Sequence, residues 1–240
     1  MTAVEFFGCT FLAFGPPLAM FVFTIAQDPV RIIILIAAAF FWLLSLLMSS
    51  LWWFIVVPLR SHLAFGVVFS VFIQEGFRYL IYRILRRAEN GLKKITDDST
   101  QLVENKHILA YVSGLGFGII SGIFSMVNIA ADAVGPGTMG LLYKSETFFV
   151  TSAATSLCFT LLHTFWGVTF FSALDKGNKV LLCFVIGSHL FASCFTLLNY
   201  YDLYSLTLVT LYLLLLATMA VTFKIVGGSV KSLKACVRFN

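Results

Sequence analysis

The sequence predicts an all-α polytopic membrane protein, a single bundle of seven transmembrane helices spanning residues 1–240, with a lumenal or extracellular N-terminus and a cytosolic C-terminus. Three observations predict it. Only 11% of the residues are charged and 60% are hydrophobic, whereas soluble domains carry about 25% charged residues. Six uncharged runs are each long enough to cross a bilayer. The basic residues gather at one set of run ends. With 26 Phe among 240 residues, the chain has more apolar surface than a domain of this length buries internally, so lipid must cover the rest.

A spanning helix needs roughly 20 apolar residues at a rise of about 1.5 Å each. The uncharged runs Phe6–Gln27, Ile32–Leu59, Ile108–Ala131, Thr147–Leu174, Val180–Tyr201 and Leu203–Phe223 predict helices over 5–27, 31–58, 107–131, 147–174, 179–201 and 203–226. The first is expected to be a mature helix and not a secretory signal, because Glu5 stands where a basic n-region would be and the run is long enough to span. Gly15-Pro16-Pro17 should kink or break it, since proline removes a backbone donor and crowds the preceding turn. A seventh helix is predicted over 62–86. There an apolar stretch from Leu63 to Ile73 runs into Gln74, Glu75 and Arg78 before apolar residues resume.

Charge placement supports that seventh span. Cytosolic segments are enriched in Lys and Arg. Seven spans with an outside N-terminus put thirteen of the 16 basic residues on the cytosolic side, leave Arg60 and Lys144 opposite, and place Arg78 inside the third helix. Omitting the third span destroys the asymmetry. The net charge of +5 therefore marks helix ends. A nucleic-acid site would need the cations gathered on one exposed face of a folded module, and none is expected. The five cysteines show no CxxC and no metal spacing and read as small buried hydrophobes.

Two features carry unusual chemistry. In the fourth span Gly114, Gly118 and Gly122 recur every four residues and are followed by Ser125. They form a flat strip on which another helix can approach closely. The partner could be a helix of the same bundle or of another subunit. The second feature is polar. Ionisable groups in the bilayer core usually face the protein interior. Glu75 and Arg78 share one helical face, with Gln74 beside them and Asn128 as a further polar residue in the fourth span. His163 and His189 lie about twelve and ten residues from the cytosolic ends of their spans, roughly 18 and 15 Å deep. Neighbouring helices could bring them together, either as packing histidines or as a metal or proton-relay pair.

Catalytic readings are incomplete in this sequence. No HExxH occurs. An intramembrane serine protease would want a serine in the fourth helix and a histidine in the sixth, and Ser121 and His189 lie in those helices, but Ile119 and Ile120 precede the serine where a glycine setting would be needed. A transporter would show broken helices in both halves, and only the first span is broken. No catalytic residue, metal ligand or cofactor is assigned. A membrane enzyme or transporter using His163, His189, Glu75 and Arg78 stands as the alternative to an assembly role.

Several stretches match one family in order: Phe6-Phe-Gly-Cys-Thr, Ala13-Phe-Gly-Pro16, Ala39-Phe-Phe-Trp-Leu43, Gln74-Glu75 with Phe77-Arg78, Ala110 through Gly122, Ala131 through Gly137, Leu162-His-Thr-Phe-Trp-Gly-Val168, Gly187-Ser-His-Leu190 and Gly227-Gly-Ser229. On these the chain resembles the anterior pharynx defective (Aph-1) family, the seven-span subunit of the gamma-secretase intramembrane protease complex. Two stretches, Pro58–Ala64 and Leu141–Glu146, depart from its pattern. The resemblance implies a non-catalytic scaffold that joins nicastrin and then holds presenilin, with the presenilin enhancer completing the complex. It implies that Gly114, Gly118, Gly122, His163 and His189 support assembly, and that the complex cleaves Notch- and amyloid-precursor-type stubs. It also implies residence in endoplasmic reticulum, Golgi and plasma membrane.

Overall fold

The structure, a computed structural model, describes residues 3–59, 62–95, 106–134, 148–229 and 231. Seven helices long and apolar enough to cross a membrane occur among them, the sixth counted with the 3-10 stretch that extends it to Tyr201: α1 (Ala3–Thr24), α2 (Pro29–Ile55), α3 (Leu63–Ile95), α4 (Lys106–Val134), α5 (Phe148–Asp175), α6 (Lys179–Phe195) and α7 (Tyr204–Ile225). The two departing stretches named above lie wholly or partly outside the described residues.

The chain's punctuation follows local chemistry. Asp28 caps α2 by accepting from the Val30 amide at 2.9 Å, with Pro29 opening the helix. Asn178 caps α6 by accepting from the Val180 and Leu181 amides. The tight turn before it needs Gly177, whose φ of 63° is left-handed. Pro16 and Pro17 sit inside α1, which continues through them to Thr24. In a bilayer, neighbouring helices tolerate the lost backbone bonds. α3 runs to Ile95, past the expected end at 86, because its last turns are polar and carry the Arg86–Glu89 pair at i,i+3. After Phe195 the chain tightens into a 3-10 stretch, Thr196–Tyr201.

α5 is the central element. It packs on α1, α4, α6 and α7. α4 is clamped between α5 and α2, and α3 packs on α2 and α6. α3 stands off from α5 and reaches it through long polar side chains, which creates both the buried site and a cavity of about 890 Å³. That cavity opens at the α5 N-terminal side and is rich in hydroxyls, among them Ser49, Ser70, Ser121 and Thr155.

Candidate functional site: a buried polar quartet beside a glycine seam

Glu75 and Arg78 leave α3 on one face, His163 comes from α5 and His189 from α6; all four are at most 5% exposed. Arg78 Nε donates to both Glu75 carboxylate oxygens, at 3.2 and 3.1 Å. Its Nη1 donates to the His163 carbonyl at 3.2 Å, and its Nη2 lies 2.9 Å from His163 Nδ1. A guanidinium has no lone pair to accept with, so His163 Nδ1 is the acceptor and the ring proton of the neutral imidazole sits on Nε2. His189 Nδ1 lies 2.7 Å from Glu75 Oε1. An ionised carboxylate only accepts, so there His189 donates. The two imidazoles thus use the same ring nitrogen in opposite roles. Their direction is set by the Glu75–Arg78 ion pair between them.

Aromatic packing closes the quartet. The two imidazoles meet edge to face with centroids 5.1 Å apart. Trp166, one turn after His163, stacks on His189 at 4.4 Å and donates its indole N–H to Ser188 Oγ at 2.9 Å. Phe117 of α4 lies under the guanidinium, 5.1 Å from Arg78 Cζ. Each ionic head therefore meets either a hydrogen-bond partner or a ring face.

The glycine strip lies against α5 at the same level. A methyl on Gly114 would come within 2.7 Å of the Thr164 carbonyl oxygen and 3.0 Å of the His163 carbonyl oxygen. One on Gly118 would run into the Thr160 carbonyl, and one on Gly122 would stand 2.7 Å from Thr160 Oγ1. Gly167 reciprocates from α5, where a methyl would sit 2.7 Å from Gly114 Cα. On the other side of α4, Gly116 admits α2, with the Leu35 carbonyl oxygen 2.5 Å from where its Cβ would be. Thr160 Oγ1 donates across the seam to the Gly118 carbonyl at 3.1 Å. The helices touch backbone to backbone, and the His163 carbonyl that faces Gly114 is the one Arg78 grips. Seam and quartet are one device.

The remaining candidates fall elsewhere. Ser125 donates to the Gly122 carbonyl at 2.9 Å and bonds Ser156 Oγ of α5. Gln74 points away from the quartet, donates to Ser70 Oγ at 3.1 Å and lines the cavity. Asn128 belongs to α4, and its side chain lies outside the described residues. Among the described residues no three His, Cys, Asp or Glu side chains converge as a metal ion would require. Sequence reasoning did not single out Trp166, Ser188, Thr160, Gly116 or Gly167. The signal for Trp166 was its i,i+3 spacing from His163, and for Ser188 its place beside His189. Nothing in the sequence marked Thr160 apart from other membrane hydroxyls.

A second polar cluster pins α3 to the far end of α5. Asp175 accepts from Tyr82 at 3.0 Å and from Arg86 at 3.0 and 2.5 Å. Arg86 also donates to Glu89 at 2.6 Å.

Comparison with known proteins places this arrangement. A family model described as Aph-1 protein matches residues 4–229. The gamma-secretase subunit Aph-1 of Drosophila melanogaster is 62% identical over 234 residues, covering 98% of either chain. Gamma-secretase subunit Aph-1b of Danio rerio is 48% identical and APH-1B of Homo sapiens 46%, each over 246 residues, 99% of this chain and 94% of the relative.

Proposed function

The chain belongs to the Aph-1 family, and from that premise we propose that it serves gamma-secretase as a non-catalytic scaffold, stabilising presenilin and nicastrin within the bilayer. It is a gamma-secretase subunit and an integral, multi-pass membrane protein. The finer reading adds the presenilin enhancer as third partner, Notch- and amyloid-precursor-type stubs as substrates of the assembled protease, and residence in endoplasmic reticulum, Golgi and plasma membrane. The positive-inside bias favours a lumenal N-terminus and a cytosolic C-terminus.

One observation supports the scaffold role above the rest. Most polar atoms of the quartet engage one another: both Glu75 oxygens, three Arg78 nitrogens and both imidazole Nδ1 atoms, which leaves only the two Nε2 atoms, on rings that are 2% exposed. General acids, bases and nucleophiles need a lone pair or labile proton within reach of substrate. A buried circuit out of a substrate's reach instead holds three helices at fixed spacing, which is what a docking platform requires, since lipid offers little hydrophobic drive between subunits.

The test replaces the endogenous chain in cells by the His189→Ala variant. The scaffold reading expects less presenilin and nicastrin recovered with the chain, and unchanged cleavage of a Notch-type stub per recovered complex. Full recovery of partners with lost cleavage would instead favour an enzyme or transporter built on His163, His189, Glu75 and Arg78.

A further inference from the structure

We propose that the outer groove between α3 and α6 is a binding site for one anionic phospholipid, its phosphate held by Arg83 and Lys179 and one acyl chain lying over Gly76. On α3, Phe72, Gly76, Tyr79 and Arg83 follow one another at spacings of four, three and four, a single stripe down the helix. All four are exposed, Phe72 by 50% and Tyr79 by 42%. The stripe flanks Glu75, which reaches into α6 through His189, while Arg78 on the other flank reaches α5. The stripe therefore borders α6 on its lipid side. Lys179, Cys183, Ile186 and Leu190 repeat the same spacing on α6, beginning at the exposed Lys179.

Levels match as well. Glu75 and His189 tie the helices at mid-span, and Asp175, four residues before Lys179, is held by Tyr82 and Arg86. Arg83 and Lys179 thus stand at one height on neighbouring helices. From Arg83 to Phe72 is eleven residues, about 16 Å along the helix, the depth of one leaflet of a hydrocarbon core roughly 30 Å thick. A Cβ at Gly76 would meet nothing within 4 Å. The stripe therefore carries a short side-chain-free lane at Gly76, with Phe72 and Tyr79 on either side of it along the helix, where an acyl chain can lie against backbone.

The head of the groove is electrostatically open. Arg83 Nη1 donates to Tyr79 Oη at 2.8 Å, and its Cζ lies 5.7 Å from the Tyr79 ring centroid. That contact fixes the guanidinium at the lane's end and consumes one of five N–H donors. The nearby carboxylates of Asp175 and Glu89 are taken by Arg86. Among the described residues no carboxylate pairs with Arg83 or Lys179. The general enrichment of cations on this membrane face accounts for their number. It does not account for two cations with no carboxylate partner among the described residues, level with each other on neighbouring helices at the end of an exposed aromatic stripe opened at Gly76, which complements a phosphate carrying an acyl tail.

Native mass spectrometry of the full chain in mild detergent, titrated with phosphatidylserine and with phosphatidylcholine, tests the site. The Arg83→Gln, Lys179→Gln double variant is expected to lose phosphatidylserine affinity by about fivefold for each cation neutralised, with a smaller loss for phosphatidylcholine, whose phosphate charge is offset by its own choline cation. Gly76→Leu is expected to weaken both lipids by filling the lane. Arg31→Gln, which removes a cation already paired with Asp28 at 3.1 Å, is expected to change neither. Unaltered phosphatidylserine preference in the double variant overturns the site. So does an equal loss in Arg31→Gln, which would reduce the effect to the charge of the face.

Discussion

α2 and α5 invert the rule that governs soluble proteins. α2 is the most apolar of the seven spans, yet only 22% of its membrane-length window is buried, whereas 78% of the window in the more polar α5 is buried. Ile33, Ile36 and Phe40 of α2 face outward, where lipid is as good a solvent for them as any core. α5 buries Ser156, Thr160, His163, Thr164, Thr169 and Ser172. In hydrocarbon the hydrophobic effect does not sort helices, so position is decided by which helix carries groups that lipid cannot satisfy. Thr164 donates locally at 2.9 Å to the carbonyl one turn earlier, Thr160 shares its proton between such a carbonyl and Gly118 of α4, Thr169 bonds Thr222 of α7, and Ser172 Oγ finds no partner among the described residues. Its longer polar groups need α3, α4 and α6.

The largest effect expected from that contrast concerns charge. Arg78→Met leaves Glu75 buried without its counter-ion and should cost about 3–5 kcal/mol, read as a lower apparent Tm of the detergent-purified chain. Arg31→Met at the start of α2 breaks a pair whose side chains are about a quarter exposed, and should cost about 0–1 kcal/mol. Adding Glu75→Gln to Arg78→Met should restore part of the loss, because the double variant buries no net charge. A double variant less stable than Arg78→Met alone would mean that the carboxylate is held by His189 and not by the ion pair.

Close approach gives the next effect. Gly118→Ala pushes a methyl into the Thr160 carbonyl on α5, and overpacking of this kind costs about 1–3 kcal/mol. At Gly8 of α1 a methyl meets nothing within 4 Å. There the better helix propensity of alanine should leave stability equal or higher, by up to about 1 kcal/mol. Apparent Tm values for the two variants side by side are the measurement, and equal losses would mean that α4 and α5 part to admit the methyl.

The seven spans were legible because their signal is a run of residue types, and runs survive without knowledge of neighbours. α3 was the hardest, since Gln74, Glu75 and Arg78 interrupt it, and it was recovered only through the charge asymmetry of the connections. Depth along a helix was legible too, and it set His163 and His189 at one level. Direction around the helix was not. The glycine strip could serve a helix of this chain or of another, and only the structure brings Thr160, His163 and Thr164 against it. That Glu75 would turn to His189 and Arg78 to His163 depends on α3 packing on α6 while facing α5 across a gap, a matter of packing that no spacing encodes. Gln74 shows the same limit: adjacent to Glu75 in sequence, it turns 100° away on an ideal helix and lines the cavity instead.

The smallest effect compares one tryptophan on each helix. Both Trp166 of α5 and Trp42 of α2 are buried, so their rings bring similar apolar area. Their indole nitrogens differ. Trp166 Nε1 donates to Ser188 Oγ at 2.9 Å, whereas Trp42 Nε1 is buried with no hydrogen-bond partner among the described residues. Trp166→Phe removes a bond worth about 1 kcal/mol and keeps an aromatic face for His189. Ser188 loses its donor but still bonds the Val185 carbonyl at 3.1 Å, so no buried group is stranded. Trp42→Phe removes an unsatisfied donor, which offsets the lost ring area and should keep the change within about 0.5 kcal/mol. Parallel unfolding of the two variants in one detergent reads the difference. If Trp42→Phe proves the more damaging, the indole of α2 earns its place through packing against Phe124, 5.7 Å away between centroids, and polarity is not what separates the two helices at this position.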